Sequence, residues 1–387
     1  FDNCVIICDE CQNLYNDKYD NIRHKRIAAE LSTKLKSAEG SIRMFFTGTP
    51  IHTNDPAKDV QEFRSLVRGR MPAADNDEGL FSWYMNRPST QFARQHRSIE
   101  GMPRVIYSVL RGEHLRKYLQ MRCGGQKTTK IDKIKYEKCA KGKPGERAEI
   151  ASKVKGAQAW ENTSFRADRR ADGAAYNEVD NFSENDLAEA AIKFWTILDL
   201  IKKQNGKIVI QIYKSSGSQF LIRVLKKFLG PTKVLSVEKT KTDAQNAKAI
   251  DNFNNDISNN ANIPVNINGG IHKVIVLESE IAKESISLFN VRLIIMADIS
   301  PRHENPKWST FKQRAARALR MCGHEGLTDK KKKLRIRLVL SKMPDPEAQS
   351  GLNAQFNNSP LLTLDEIKLS ELSDDRDRIV AEEEKLK

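Results

Sequence analysis

Phe1-Asp2-Asn3-Cys4-Val5-Ile6-Ile7-Cys8-Asp9-Glu10-Cys11-Gln12 is the stretch on which the fold turns. Val5 to Cys8 is apolar with no polar alternation, which suits a strand buried on both faces of a parallel sheet. Two carboxylates follow at once, then a polar turn. Ligands of open α/β sheets bind beyond the carboxyl ends of such strands, and Asp9 and Glu10 stand at that edge. A carboxylate there can hold Mg²⁺ on nucleotide phosphates, and its neighbour can position or deprotonate a water.

The pattern is that of a Walker B box in a P-loop nucleotidase, whose phosphate cradle reads Gly-x-x-x-x-Gly-Lys-[Ser/Thr]. The sequence contains no such cradle. Gly142-Lys143 and Gly206-Lys207 are not followed by Ser or Thr. A chain that opens inside its first strand is therefore expected to be a fragment lacking the Walker A region. Cys8 and Cys11 have the spacing of half a zinc site, but no second pair stands at ligand spacing. Buried small apolar side chains are the better reading.

Working outward, two α/β halves emerge. Ile22 to Lys36 has helical periodicity, Ile42 to Phe46 reads as a second buried strand, and Thr47-Gly48-Thr49-Pro50 closes it. Val60 to Val67 reads as helix, and Phe81 to Tyr84 and Arg104 to Leu110 as strands. Residues 124–184 lack apolar periodicity and read as a charged linker or insertion. Beyond it, strands expected at Lys207–Tyr213, Val234–Ser236, Lys273–Leu277, Arg292–Ala297 and Leu334–Leu340 alternate with helices at Ala188–Lys203, Gln219–Leu229, Asp243–Phe253 and Thr310–Met321. Such alternation implies βαβ units. Gly230-Pro231 is a helix stop.

Length and composition agree. The 387 residues suit two domains. A net charge of +15 favours polyanionic partners, nucleic acid first among them. No apolar run approaches the ~20 residues that cross a bilayer, so no membrane partner is expected. Six scattered cysteines suit a reducing compartment. Lys330 to Lys333 with Arg335 and Arg337 form a basic run; it reads as a solvated turn, with phosphate binding as the alternative.

Two further segments complete the chemistry. Ser279-Glu280 through Glu284-Ser285-Ile286-Ser287-Leu288 follows an expected strand and brings polar groups to the same edge. On a helix, Gln313, Ala316, Arg317 and Arg320 share one face. Arginines aimed into a cleft can clamp a departing γ-phosphate, a role worth ~10³–10⁵ in rate.

Taken together, these segments resemble superfamily 2 helicases with paired RecA-like domains. Asp9-Glu10-Cys11-Gln12 is similar to motif II, Thr47 to Pro50 to motif III, Glu284 to Leu288 loosely to motif V, and Gln313 to Arg320 to motif VI. Arg320-Met321-Cys322-Gly323-His324 resembles the helicase-like ATPases of large nucleocytoplasmic DNA viruses, the group of the poxvirus early transcription factor small subunit and nucleoside triphosphate phosphohydrolase. Ala316 and Ser285 stand where the family has Gly, which reduces backbone freedom at both points.

The resemblance implies an α/β fold of two RecA-like parallel-sheet domains, the first incomplete at its N-terminus. The expected organisation is residues 1–123 as the later part of domain 1, 124–184 as linker, 185–345 as domain 2 and 346–387 as a polar extension. It implies ATP and Mg²⁺ as cofactors. Asp9 would hold the metal, Glu10 would activate water, and Gln12, Gln313, Arg317 and Arg320 would join them in catalysis. Glu284, Arg317 and Arg320 would contact the nucleotide, while Thr47, Gly48 and Thr49 would couple its state to the cleft. The implied partners are nucleic acid, DNA favoured, and a viral RNA polymerase or transcription-factor subunit, in the virion and host cytoplasm. Two alternatives stand beside this: a non-catalytic nucleic-acid-binding or scaffold module retaining the helicase fold, and a restriction-type motor subunit, for which no nuclease carboxylate cluster is evident.

Overall fold

The computed structural model describes residues 1–8, 11–14, 22–45, 56–68, 102–119, 182–255, 266–280, 286–301, 304–318, 323–324, 327, 333–345 and 362–384. The chain divides into two compact units. One comprises Phe1–Thr90, Lys307–Gln313 and Leu372–Lys387; the other comprises Gln91–Pro306 and Arg314–Glu371.

In the first unit, β1 (Val5–Cys8) leads to a short 3-10 turn at Cys11–Leu14, then α1 (Ile22–Ser37), β2 (Ile42–Phe45) and α2 (Pro56–Arg68). The two strands pair in parallel, Val5 opposite Ile42 and Cys8 opposite Phe45. Their core is one-sided: Ile6, Cys11, Leu35, Ala38, Phe45, Phe63 and Leu66 pack together. The expectation that β1 is buried on both faces is corrected, since Val5 and Ile7 are 61% and 67% exposed. Successive strand residues point to opposite faces, and the packed side is the one carrying Ile6 and Phe45. Cys11 lies in this core, as a small apolar side chain would. Ile27, placed by its spacing on the buried face of α1, is exposed.

In the second unit, β3 (Arg104–Val109) and α3 (Gly112–Leu119) are followed by α4 (Glu184–Ala190), α5 (Ile192–Lys203), β4 (Lys207–Ile212), α6 (Ser218–Leu229), β5 (Val234–Val237), α7 (Asp243–Asn254), β6 (Val274–Glu278) and β7 (Val291–Met296). Strand β8 (Arg335–Lys342) also belongs to it, while the helices α8 (Trp308–Ala316) and α9 (Leu364–Glu384) each have residues in both units. Six strands form one sheet in the order β3-β8-β7-β4-β6-β5, every pair parallel. Parallel sheets need both faces covered, and β4 and β6 are buried at every position. The core joins Phe194, Ile197, Leu198 and Ile201 of α5 with Phe220, Leu221, Val224 and Leu225 of α6 against Ile208, Ile210, Val276 and Ile295.

The local chemistry explains the boundaries. Gly217 enters α6 at φ 93°, a left-handed conformation suited to glycine, and Gly230-Pro231 ends it. Thr242 and Gln245 form a capping box on α7, and Ser183 and Asp186 one on α4. Where one helix was expected over Ala188–Lys203, Ala191 (φ −145°, ψ 61°) separates α4 from α5.

The α/β class and the parallel sheets are as expected. Strand β3 is a correction. The sequence placed residues 104–110 with the first domain, whereas Arg104 to Val109 pair with Arg337 to Lys342 in the six-stranded sheet. Helix α8 is another, ending at Ala316 rather than at Met321. Phe81–Tyr84, the 124–181 part of the linker, Lys330 to Lys332 and residues 346–361 lie outside the described residues.

Candidate functional site

The chain runs β4, β5, then back to β6 beside β4, and on to β7 on the other side of β4. Order therefore reverses about β4, and the carboxyl edge there is where an open α/β sheet takes its ligand. Four strands deliver polar groups to that edge: Tyr213 and Lys214 after β4, Glu238 after β5, Glu278 to Glu280 at the end of β6, and Asp298 after β7.

Arg314 of α8 organises them. Its Nε donates to Gln211 Oε1 at 3.1 Å, Nη1 to the carbonyls of Asp298 and Ile299 at 3.3 and 2.8 Å, and Nη2 to Ser279 Oγ at 3.0 Å and Asp298 Oδ1 at 3.2 Å. Gln211 Nε2 returns a bond to the Arg314 carbonyl at 2.8 Å, and the guanidinium lies 4.9 Å from the centre of the Tyr213 ring. One buried side chain thus ties the ends of β4, β6 and β7 to α8. A guanidinium presents its donors in a fixed fork, so no other residue type would satisfy these acceptors together.

The carboxylates differ in state. Asp298 is fully buried, and burial pushes its carboxyl up against the opposing pull of Arg314 and of the Tyr213 N–H, which donates to Oδ2 at 2.7 Å. Glu280 is also pushed up, first by burial and further by Asp298 and Glu278, although Lys214 N–H donates to it at 3.1 Å. Burial acts to raise Glu238 as well, but bonds from Lys241, Ser236 and Gln219 outweigh it and hold the group below its ordinary value. Burial pushes the Tyr213 hydroxyl up to about 12. Glu278 is engaged at the start of α6, taking Ser218 Oγ–H at 2.6 Å and Lys239 N–H at 2.7 Å.

Of the residues singled out from sequence, Gln313 and Arg317 are described. Gln313 is half-buried on α8, and Arg317 is buried in the turn just after it, its carbonyl accepting Leu288 N–H at 3.0 Å. The shared helical face expected for Gln313, Arg317 and Arg320 is thus not a feature of α8, which stops short of Arg317. Gln12 lies in the 3-10 turn Cys11–Leu14. Asp9, Glu10, Thr47, Gly48, Thr49, Glu284 and Arg320 lie outside the described residues. His324 Nε2 donates to the Val291 carbonyl at the start of β7 at 2.8 Å, a structural tie. Among the described residues no group of three or more His, Cys, Asp or Glu is placed to hold a metal ion. Nor, among them, is any helix long and apolar enough to cross a membrane.

Arg314 and Asp298 were not chosen from sequence. Asp298 had a signal: it follows an apolar run, Leu293 to Ala297, as Asp9 follows Val5 to Cys8.

Residues 192–322 match the family model described as the helicase conserved C-terminal domain. That span holds α5, β4 to β7 and α8, and hence Arg314, Glu238, Glu278, Glu280 and Asp298. No curated protein sequence is significantly similar to the chain. Similar solved structures include the Saccharomyces cerevisiae protein Dbp5 bound to RNA and ADP BeF3, with 10% identity, a TM-score of 0.40, and 99% of this chain and 63% of that chain covered. The chain thus spans less than two thirds of that relative. A second is the Sulfolobus solfataricus SWI2/SNF2 ATPase core in complex with dsDNA, with 16% identity, a TM-score of 0.37, and 99% and 71% covered. A third is the Pyrococcus furiosus Hef helicase domain, with 15% identity, a TM-score of 0.43, and 90% and 73% covered.

Proposed function

We propose that the protein carrying this chain is a nucleic-acid-dependent ATPase of the superfamily 2 helicase type. The observation that carries the reading is the helicase C-terminal match over residues 192–322, the span that supplies the polar carboxyl edge. In this reading Asp9 holds Mg²⁺ and Glu10 orients the attacking water, while Gln12 and Thr47 to Thr49 respond to nucleotide state. Gln313, Arg317 and Arg320 act on the phosphates from the second domain, with Arg314 fixing the end of α8 beside Gln313 and just before Arg317. Nucleotide turnover would drive a hinge cycle on DNA. The Arg-x-Cys-x-His sequence at Arg320 to His324 supports a finer assignment to viral early transcription, alongside a viral polymerase or transcription factor in virion and host cytoplasm.

ATP hydrolysis by the intact protein, with and without DNA or RNA, tests the reading. Stimulated turnover is expected, with Glu10→Gln lowering it by about 10²-fold or more. Turnover unchanged in Glu10→Gln contradicts the role of Glu10. Nucleic-acid binding without any turnover would favour the scaffold alternative, a reading favoured by Ala316 and Ser285 standing where the family has Gly.

A further inference from the structure

The opposite edge of the six-stranded sheet carries the chain's other concentration of chemistry. Arg104 opens β3, Arg335 opens β8, Arg337 is two residues on, and Arg292 is second in β7. The register brings them together: Arg104 lies directly opposite Arg337, and Arg335 is paired with Leu293, next to Arg292. Neighbouring strands lie ~4.8 Å apart and residues i and i+2 ~6.6 Å apart, so the three adjacent strands gather four guanidinium-bearing residues at one end. Lys333, exposed just before β8, adds a fifth cation.

None of these five forms an ion pair with a carboxylate among the described residues. Like charges directly opposite in a sheet are destabilising. Here the repulsion is felt. Burial and then neighbouring arginines hold Arg337 below its ordinary value, and burial and Arg335 do the same to Arg292. Arg292 is also seated: Gly206 (φ 95°) passes so close that a Cβ there would stand 2.5 Å from Arg292 Cγ. The backbone leaves room for this one side chain.

We infer that Arg104, Arg292, Arg335 and Arg337, with Lys333, form a phosphate-binding site for the nucleic-acid backbone at the amino edge of the second unit's sheet. Guanidinium forks match phosphate oxygens two at a time. A nucleic-acid strand offers one charge per ~3.4 Å of axis, whereas an extended acidic peptide can present one carboxylate per ~6.6 Å on a given face. Five cations packed this closely call for the denser polyanion. The site is separate from the carboxyl edge and does not depend on ATP turnover. It selects for backbone charge rather than for base sequence.

Fluorescence anisotropy of the full chain with a labelled DNA duplex, across a range of salt concentrations, tests it. Arg335→Gln/Arg337→Gln should bind at least tenfold more weakly at low salt and reduce the log K against log salt slope by about 1.8. Arg335→Lys/Arg337→Lys should keep the slope. Should the double Gln variant prove unfolded by circular dichroism, Arg335→Gln alone, at an exposed position, is expected to reduce the slope by about 0.9. An unchanged slope and affinity overturn the site. So does variant-sensitive binding of a labelled polyglutamate peptide with DNA binding indifferent, which would assign the surface to an acidic protein. A slope change in a protein without ATPase activity leaves the site standing and removes only the catalytic reading. Turnover with an unchanged slope does the reverse.

Discussion

Lys193 and Asp365, 172 residues apart, form a 2.7 Å ion pair whose side chains are 0% and 2% exposed. Asp365 Oδ2 also accepts Ser341 N–H at 2.7 Å, so a single carboxylate joins α5, the end of β8 and the first turn of α9. Thr363 caps the same turn, taking Glu366 N–H at 3.1 Å and donating to the Ser341 carbonyl at 2.8 Å. Lys368, one turn on, donates to the carbonyls of Ser300 and Pro301 at 2.9 and 2.5 Å. The start of α9 is therefore fastened by buried charge rather than by apolar burial alone.

Removing one partner of such a pair leaves a buried charge uncompensated, at a cost of about 3–5 kcal/mol, whereas replacing both can be nearly neutral. Lys193→Met should lower stability by that amount in urea denaturation. Lys193→Met/Asp365→Asn should recover most of it. A double variant as unstable as the single one would show that Ser341 N–H, and not Lys193, is the partner that matters to Asp365.

Arg314 gives a second prediction, based on geometry rather than charge. Lysine keeps the cation but cannot reach Gln211, Ser279, Ile299 and Asp298 with one planar fork. Loss of a hydrogen bond involving a charged group costs about 1.5–3 kcal/mol. Arg314→Lys should therefore be destabilised by at least that much, with Arg314→Met worse because Asp298 is then left without its cation. Denaturant titration of the two variants checks the order, and equal stability of Arg314→Lys and the parent would remove Arg314 from its organising role.

How much of this was readable beforehand follows from which signals are local. The strand at Lys207–Ile212 and the helix at Ser218–Leu229 were legible almost to the residue, because a run of β-branched residues and a Gly-Pro stop are properties of a few neighbours. The placement of β3 was not. Its partner β8 is more than two hundred residues away, and an apolar run carries no record of which strand it will adjoin. The burial of Arg314 failed to show for a related reason. Its acceptors come from three strand ends, and the helical spacing that drew attention to Arg317 holds no information about them. The exposed side of β1 depends on what covers a face, which periodicity does not report.

Helix α7 offers a test of a local capping interaction. Thr242 Oγ accepts Gln245 N–H at 3.3 Å, and Gln245 Oε1 accepts Thr242 N–H at 3.0 Å. Loss of a side-chain cap costs about 1 kcal/mol. Thr242→Ala should show that loss by thermal or urea denaturation, and Thr242→Ser should keep most of the stability. Equal losses in both would point to the threonine methyl rather than the hydroxyl.

Glu280 carries the pH dependence. Its carboxyl sits above the ordinary 4.5, through burial first and the nearby Asp298 and Glu278 carboxylates second. A folded state that raises a carboxyl binds its proton more tightly than the unfolded chain does, so this group lowers stability at neutral pH. The penalty is complete above the folded-state value. It fades as pH falls through that value and is gone below 4.5, where the carboxyl is protonated in both states. Glu280→Gln is neutral throughout and keeps an oxygen for Lys214 N–H. It should therefore melt higher than the parent at pH 7.5, with the difference shrinking to nothing near pH 4. A difference that is constant across this range would mean that the gain came from packing and not from the charge, and a variant that melts lower at pH 7.5 would mean that the ionised carboxylate is needed where it stands.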